Sequence, residues 1–252
     1  MGQLIAIHSF RGGTGKSNIS GNLAAWLATQ GYRVGVIDTD IQSPGIHALF
    51  GVSPAAVQYT LNDYLLGRCR IEEACCDVSA SVQLGSHAGS GRIYLIPSSM
   101  KTGEITHIIQ SGYDVGRLNM GFQQLIQKLE LDYLLVDTHP GVNEETLMAA
   151  AISDVLILIL RPDRQDYQGT AIMLELARKL RVPHVHLVVN KAVSRADFKV
   201  LEERVVATFK ERVLAVIPLS NDVAALGSSG LFCIEQPQHE FSIAIQKIAA
   251  AL

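Results

Sequence analysis

Arg11-Gly12-Gly13-Thr14-Gly15-Lys16-Ser17 is a stretch built to hold an anion. Its glycines let backbone N–H groups turn inward and approach a charged oxygen closely. Lys16 brings a positive charge within reach of β- and γ-phosphates, and the Ser17 hydroxyl suits a Mg²⁺ coordination position. Two later stretches, Asp38-Thr39-Asp40 and Asp137-Thr138-His139-Pro140-Gly141, place acids directly after apolar runs. Carboxylates there can serve a metal's coordination shell or direct a water at phosphorus. One such Asp alone is more commonly a cap or turn former. Two acids in that place, one element after a phosphate loop, favour the chemical reading. His139 invites a general-base role. Phosphoryl hydrolysis runs mainly on positioning and charge, so it is read as a loop histidine. Asn190-Lys191 closes another apolar run, and an Asn amide offers both the donor and the acceptor that an adenine edge needs.

These groups need a frame. Leu4–Ile7 is an apolar run read as a strand, and Ile19, Leu23, Trp26 and Leu27 recur at helical spacing from about Lys16 until Gly31. Strand, glycine loop and helix is the context in which such a loop binds phosphate; its free N–H groups and dipole end add to the field. Trp26 is read as a core anchor. Further buried strands are expected over 33–38, 93–96, 131–136, 155–160, 184–189 and 213–217, the last ending at Pro218. Helices are expected over 115–129, 165–180, 196–210 and 239–252. Residues 51–91 are harder: a helix start at Ser53-Pro54, another helix over 60–66, a mixed segment at 69–76 and a small-residue loop at 85–91. Continuous apolar strands alternating with helices, with no internal repeat, predict an α/β fold with a doubly wound, mostly parallel sheet flanked by helices. No Pro/Gly/Ser linker divides the chain, so residues 1–252 are read as one domain.

Of the 252 residues 48% are hydrophobic and 18% charged, a globular composition. The net charge of −3 argues against a dedicated nucleic-acid binder. It is uneven, however: residues 161–212 hold 11 basic and 7 acidic side chains. The cysteines at 69, 75, 76 and 233 lack paired metal spacing. With no cleavable leader pattern and no apolar run near the ~20 residues that span a bilayer, a reducing cytoplasm is the expected compartment.

An ordinary P-loop has glycine where this chain has Phe10; here a basic residue precedes Gly-Gly-x-Gly-Lys-Ser. That loop, the Asp38-Thr39-Asp40 acids, the 136–141 loop and Asn190-Lys191, in that order, resemble the MinD/ParA family of deviant Walker A ATPases. Residues 38–51 also look like the Mrp-type branch. The resemblance implies ATP and Mg²⁺ as ligands. Arg11, Gly12, Gly13, Thr14, Gly15, Lys16, Ser17 and Asn18 would cradle phosphate, with Lys16, Asp40 and Arg11 catalytic. Asp40 would position or polarise the attacking water. Ser17 would bind the metal, with Asp38 and Asp137 in its outer shell, and Asn190 and backbone near Pro218 would meet adenine. It further implies an ATP-dependent homodimer, a signature residue reaching across it, slow ATP hydrolysis and a stimulating protein partner.

The sequence departs from the family in three places. Arg11 replaces the signature lysine. Residues 241–252 carry only Lys247, unlike a basic membrane-targeting tail. Residues 138–160 have no cysteine, unlike iron–sulfur members. The leading reading is a switch that positions a division site, DNA or large cargo. A second is ATP-dependent nonspecific DNA binding through Arg195, Lys199, Arg204, Lys210 and Arg212, set against a plain solvated helix face. A third, metallocluster carriage, finds only the adjacent pair Cys75-Cys76.

Overall fold

The computed structural model describes residues 2–82, 91–193 and 198–252. Among these, β1 (Gln3–His8), β2 (Arg33–Asp38), β3 (Cys76–Asp77), β4 (Arg92–Ile96), β5 (Tyr133–Asp137), β6 (Val155–Leu160), β7 (His184–Ala192) and β8 (Arg212–Pro218) form one sheet. Its order is β3-β4-β2-β5-β1-β6-β7-β8. All neighbours run parallel except β3 with β4. Side chains alternate across each strand. In β1, Ile5 and Ile7 join the core on one face, while Leu4 and Ala6 join the clusters on the other. Both faces are therefore covered by helices, which is why the strands read as continuous apolar runs.

On the first face α1 (Lys16–Thr29) packs with α2 (Ile46–Leu49) and, from the end of the chain, with α10 (Phe232–Glu235) and α11 (Glu240–Ala249). The second face divides. Over β2 and β5 lie α3 (Leu61–Leu65), α5 (Val115–Lys128) and α6 (Glu144–Ile152), with α4 (Thr102–Ser111) at the margin. Over β6 and β7 lie α7 (Arg164–Lys179) and α8 (Phe198–Phe209). The short α9 (Asn221–Leu226) follows β8. The crossover from β1 to β2 skips one strand width, and β5 fills the gap. The C-terminal ends of β1, β2 and β5 thus lie side by side where the winding reverses, the place where open α/β sheets bind ligands.

Several expectations change. Helices α4, α6, α9 and α10 and the antiparallel edge strand β3 were not legible. Only Ile108 of α4 is buried, so no apolar stripe marks it. α6 is apolar nearly all round; its signal is the cap, where Asn143 Oδ1 accepts from Thr146 N at 2.8 Å and Thr146 Oγ1 from Asn143 N at 3.1 Å. Ser53-Pro54 begins only a 3₁₀ turn, Pro54–Ala56. Trp26 is half-buried at the margin of the core rather than central to it. The closing helix is shorter than expected but packs through Phe241, Ala244, Ile245 and Ile248. Arg195, the start of the 196–210 helix, and most of the 85–91 loop lie outside the described residues. No helix among those described is long and apolar enough to cross a membrane.

Candidate functional site

The glycine loop lies between β1 and α1, with Gly13 at φ 75° and Gly15 at φ 93°. Left-handed backbone of this kind lets successive N–H groups face one side, and L side chains rarely adopt it. A Cβ at Gly13 would meet nothing within 4 Å, and one at Gly12 only Pro140 Cγ at 3.9 Å. No side chain caps α1, so its first-turn N–H groups remain available beside the loop. Thr14 and Lys16 are buried, Ser17 and Asn18 half-buried, and Arg11, Gly12 and Gly13 exposed. Phe10, where an ordinary loop has glycine, lays its ring so close to Gly169 of α7 that any Cβ there would overlap it. The extra side chain thus pins the loop's entrance to the β6–α7–α8 side of the sheet.

The acids gather at the adjoining strand ends. Asp38 and Asp137 are paired across β2 and β5. Asp137 Oδ1 receives Lys16 Nζ at 3.2 Å and the Ser20 hydroxyl at 3.1 Å, while its Oδ2 is buried with no partner among the described residues. Ser20 stands one helical turn after Lys16, a spacing that could have flagged it. Asp38 accepts from Asp40 N at 3.0 Å and Gly45 N at 3.2 Å. Burial, and then the neighbouring Asp137 carboxylate, push the Asp38 carboxyl up to about 8. Asp40 accepts from Ser43 N at 3.1 Å, and its Oδ1 lies 3.6 Å from His139 Nδ1. Burial raises its pKa, against the lowering pull of Lys16 and His139.

Beneath the 137–141 loop, Thr138 Oγ1 donates to Ile7 O at 3.0 Å and so accepts from His8 Nδ1 at 2.7 Å. His8, missed in the sequence because it simply ends an apolar strand, is 1% exposed. Burial, then the Lys16 charge, lowers its pKa to about 3, so it is neutral.

Arg11 does not reach into the loop it precedes. Its Nη1 lies 3.7 Å from Asp166 and 4.0 Å from Asp163, the cap of α7. Asp166 is already held in a fork by Arg161, Nε at 3.0 Å and Nη2 at 3.1 Å. Asn190 lies behind the loop: its Nδ2 donates to Thr14 O at 2.7 Å, and its Oδ1 accepts from Lys191 N at 2.9 Å. Lys191 Nζ donates to Gly13 O at 2.7 Å. Pro218 is paired with Ala192, just past that dipeptide. Lys199, Arg204, Lys210 and Arg212 are exposed, but Glu202 and Glu203 share α8 with the first two, which makes a mixed face.

An open glycine cradle with outward N–H groups, a lysine at its base and a buried, unpartnered carboxylate oxygen fit a polyphosphate with a divalent cation. Among the described residues no cluster of three or more His, Cys, Asp or Glu would hold a metal alone. A Mg²⁺ arriving with a nucleotide would suit the site better: Ser17 would help to hold it, and Asp38 and Asp137 are the acids that could support it. When bound, it would neutralise phosphate charge.

Residues 5–232 match the family model described as the CobQ/CobB/MinD/ParA nucleotide binding domain. The chain is 26% identical to an uncharacterized ATP-binding protein of Methanocaldococcus jannaschii, over 98% of this chain and 86% of that one. It is also 26% identical to the septum site-determining protein MinD of Bacillus subtilis, over 99% and 88%. In fold it resembles the MinD of Pyrococcus horikoshii solved with Mg-ADP, with a TM-score of 0.81, 22% identity and 100% and 96% coverage.

Proposed function

We propose, from the premise that the chain belongs to the CobQ/CobB/MinD/ParA nucleotide-binding family, that it is a Mg²⁺-dependent ATPase whose ATP-bound form dimerises and serves as a positioning switch. The whole chain would act as one ATPase domain. The observation that carries this reading is the convergence of the glycine cradle, Lys16 and the paired acids Asp38 and Asp137 at one set of strand ends. Lys16 would exchange its contact with Asp137 for phosphate oxygens. Asp40, on the loop after β2, would orient the attacking water, and catalysis would rest on placement and charge. The name of the Bacillus subtilis relative supports the choice of a positioning role.

Arg11 is the residue through which a second copy would be sensed. Its guanidinium is exposed and both of its ion contacts are long, 4.0 Å to the partly exposed Asp163 and 3.7 Å to the buried Asp166, whose carboxylate the Arg161 guanidinium already holds. A phosphate bound by both arms of the fork is a stronger partner. Arg11→Ala should therefore leave nucleotide binding by the monomer intact but abolish ATP-dependent dimerisation and lower hydrolysis by ~10³-fold. Light scattering with a non-hydrolysable ATP analogue tests this. A dimer as abundant as in the wild type, with normal turnover, would refute the role.

A further inference from the structure

We propose that Asn190 and Lys191 form a two-point clamp that presets the phosphate loop, so that both contribute to nucleotide binding through the phosphates and not only at the base. This rests on the nucleotide-binding reading above. An anion nest needs consecutive N–H groups on one side, which turns the intervening carbonyls the other way, where each needs a donor. Here the carbonyls of two consecutive loop residues find donors on two consecutive residues of another strand. Gly13 O receives Lys191 Nζ at 2.7 Å, and Thr14 O receives Asn190 Nδ2 at 2.7 Å.

A regular strand could not do this, because successive side chains leave on opposite faces. The β7–β8 pairing slips between Val189 and Ala192, and Lys191 adopts φ 58°, left-handed backbone that a lysine rarely occupies. That irregularity re-aims the second side chain toward the loop reached by the first. Asn190 Oδ1 accepts from Lys191 N, which fixes the amide with its donor end toward Thr14. The fit is close: a Cβ at Gly15 would run into the Asn190 amide, so the glycine there serves the clamp as well as the turn.

The discriminating probe is inorganic tripolyphosphate, which has phosphates and no base. Calorimetric titrations with Mg²⁺ would compare ATP and tripolyphosphate on wild type, Asn190→Ala, Lys191→Met and Lys191→Arg, each at low and at about 0.5 M salt. The clamp predicts that Asn190→Ala and Lys191→Met weaken ATP and tripolyphosphate by the same factor, roughly threefold to tenfold for each lost hydrogen bond. The loss should persist at high salt, and Lys191→Arg should recover most of it. Unchanged tripolyphosphate affinity in both variants, with ATP alone weakened, would overturn the clamp and leave a base contact. A Lys191→Met loss that vanishes at high salt would mean through-space charge only, and would equally overturn it. Should Asn190→Ala not fold, the variants of the half-buried Lys191 decide the matter by themselves. Wild type that binds neither probe would instead remove the nucleotide-binding reading.

Discussion

Lys16 and Asp137 meet at 3.2 Å with almost no solvent around them. Two charges so placed give back much of their attraction in desolvation, and the second Asp137 oxygen is left without a partner. The arrangement is suited to being broken by a ligand that brings both anion and cation. Asp40 differs: it is anchored by Ser43 N and stands next to His139, and although it feels the Lys16 charge it makes no hydrogen bond to it. It would act on the water and not on the bound nucleotide, so its removal falls on turnover. Asp40→Ala should keep nucleotide affinity within about threefold and lower single-turnover hydrolysis at least ~10²-fold. Hydrolysis at the wild-type rate would rule Asp40 out.

Helix α7 does two jobs for the loop. Its capping turn carries Asp163 and Asp166, which lie 4.0 and 3.7 Å from Arg11, and one turn later Gly169 receives the Phe10 ring. On a helix, glycine to alanine normally stabilises, by up to ~1 kcal/mol. At Gly169 the added methyl would overlap Phe10, and forcing extra volume into a packed contact costs about 1–3 kcal/mol. Gly169→Ala should therefore destabilise the protein in denaturant titrations and, by displacing Phe10, weaken nucleotide binding as well. A variant more stable than wild type with unchanged affinity would show that Phe10 does not set the loop.

The stability of the whole chain should carry the mark of its crowded strand ends. Asp38 holds its proton up to about pH 8 in the folded state, against an ordinary value of 3.8. Its folded pKa is raised, so folding keeps a proton that the unfolded chain has released, and stability falls as pH rises through that window. His8 works in the opposite sense, because its folded pKa of about 3 lies below the ordinary 6.5 and stability rises with pH between them. The two slopes offset each other up to about 6.5, which leaves a net decline from there to about 8. Without Mg²⁺ or nucleotide, the Tm should drop across that upper interval, and Asp38→Asn should flatten it. A decline that persists unchanged in Asp38→Asn would place its source elsewhere.

Much of this was legible along the chain. The glycine loop, both acid-bearing strand ends, Asn190-Lys191 and the alternation of strands with helices are each contained in a few neighbouring residues, and local spacing reports on local structure. The family model over residues 5–232 and the mostly parallel sheet agree with the family resemblance and the fold class. Helix α4, with one buried residue, had no periodicity to show, and α6 was too uniformly apolar to have a face. The contacts that give the site its character were invisible for a different reason. Asn190 and Thr14 are separated by 176 positions, Lys16 and Asp137 by 121. They meet because β5 enters between β1 and β2 while β7 slips its register before Ala192. Which carbonyl an amide finds, and which acid a lysine faces, depends on strand order and on a bulge, and both are settled when the apolar faces of the whole sheet are buried together.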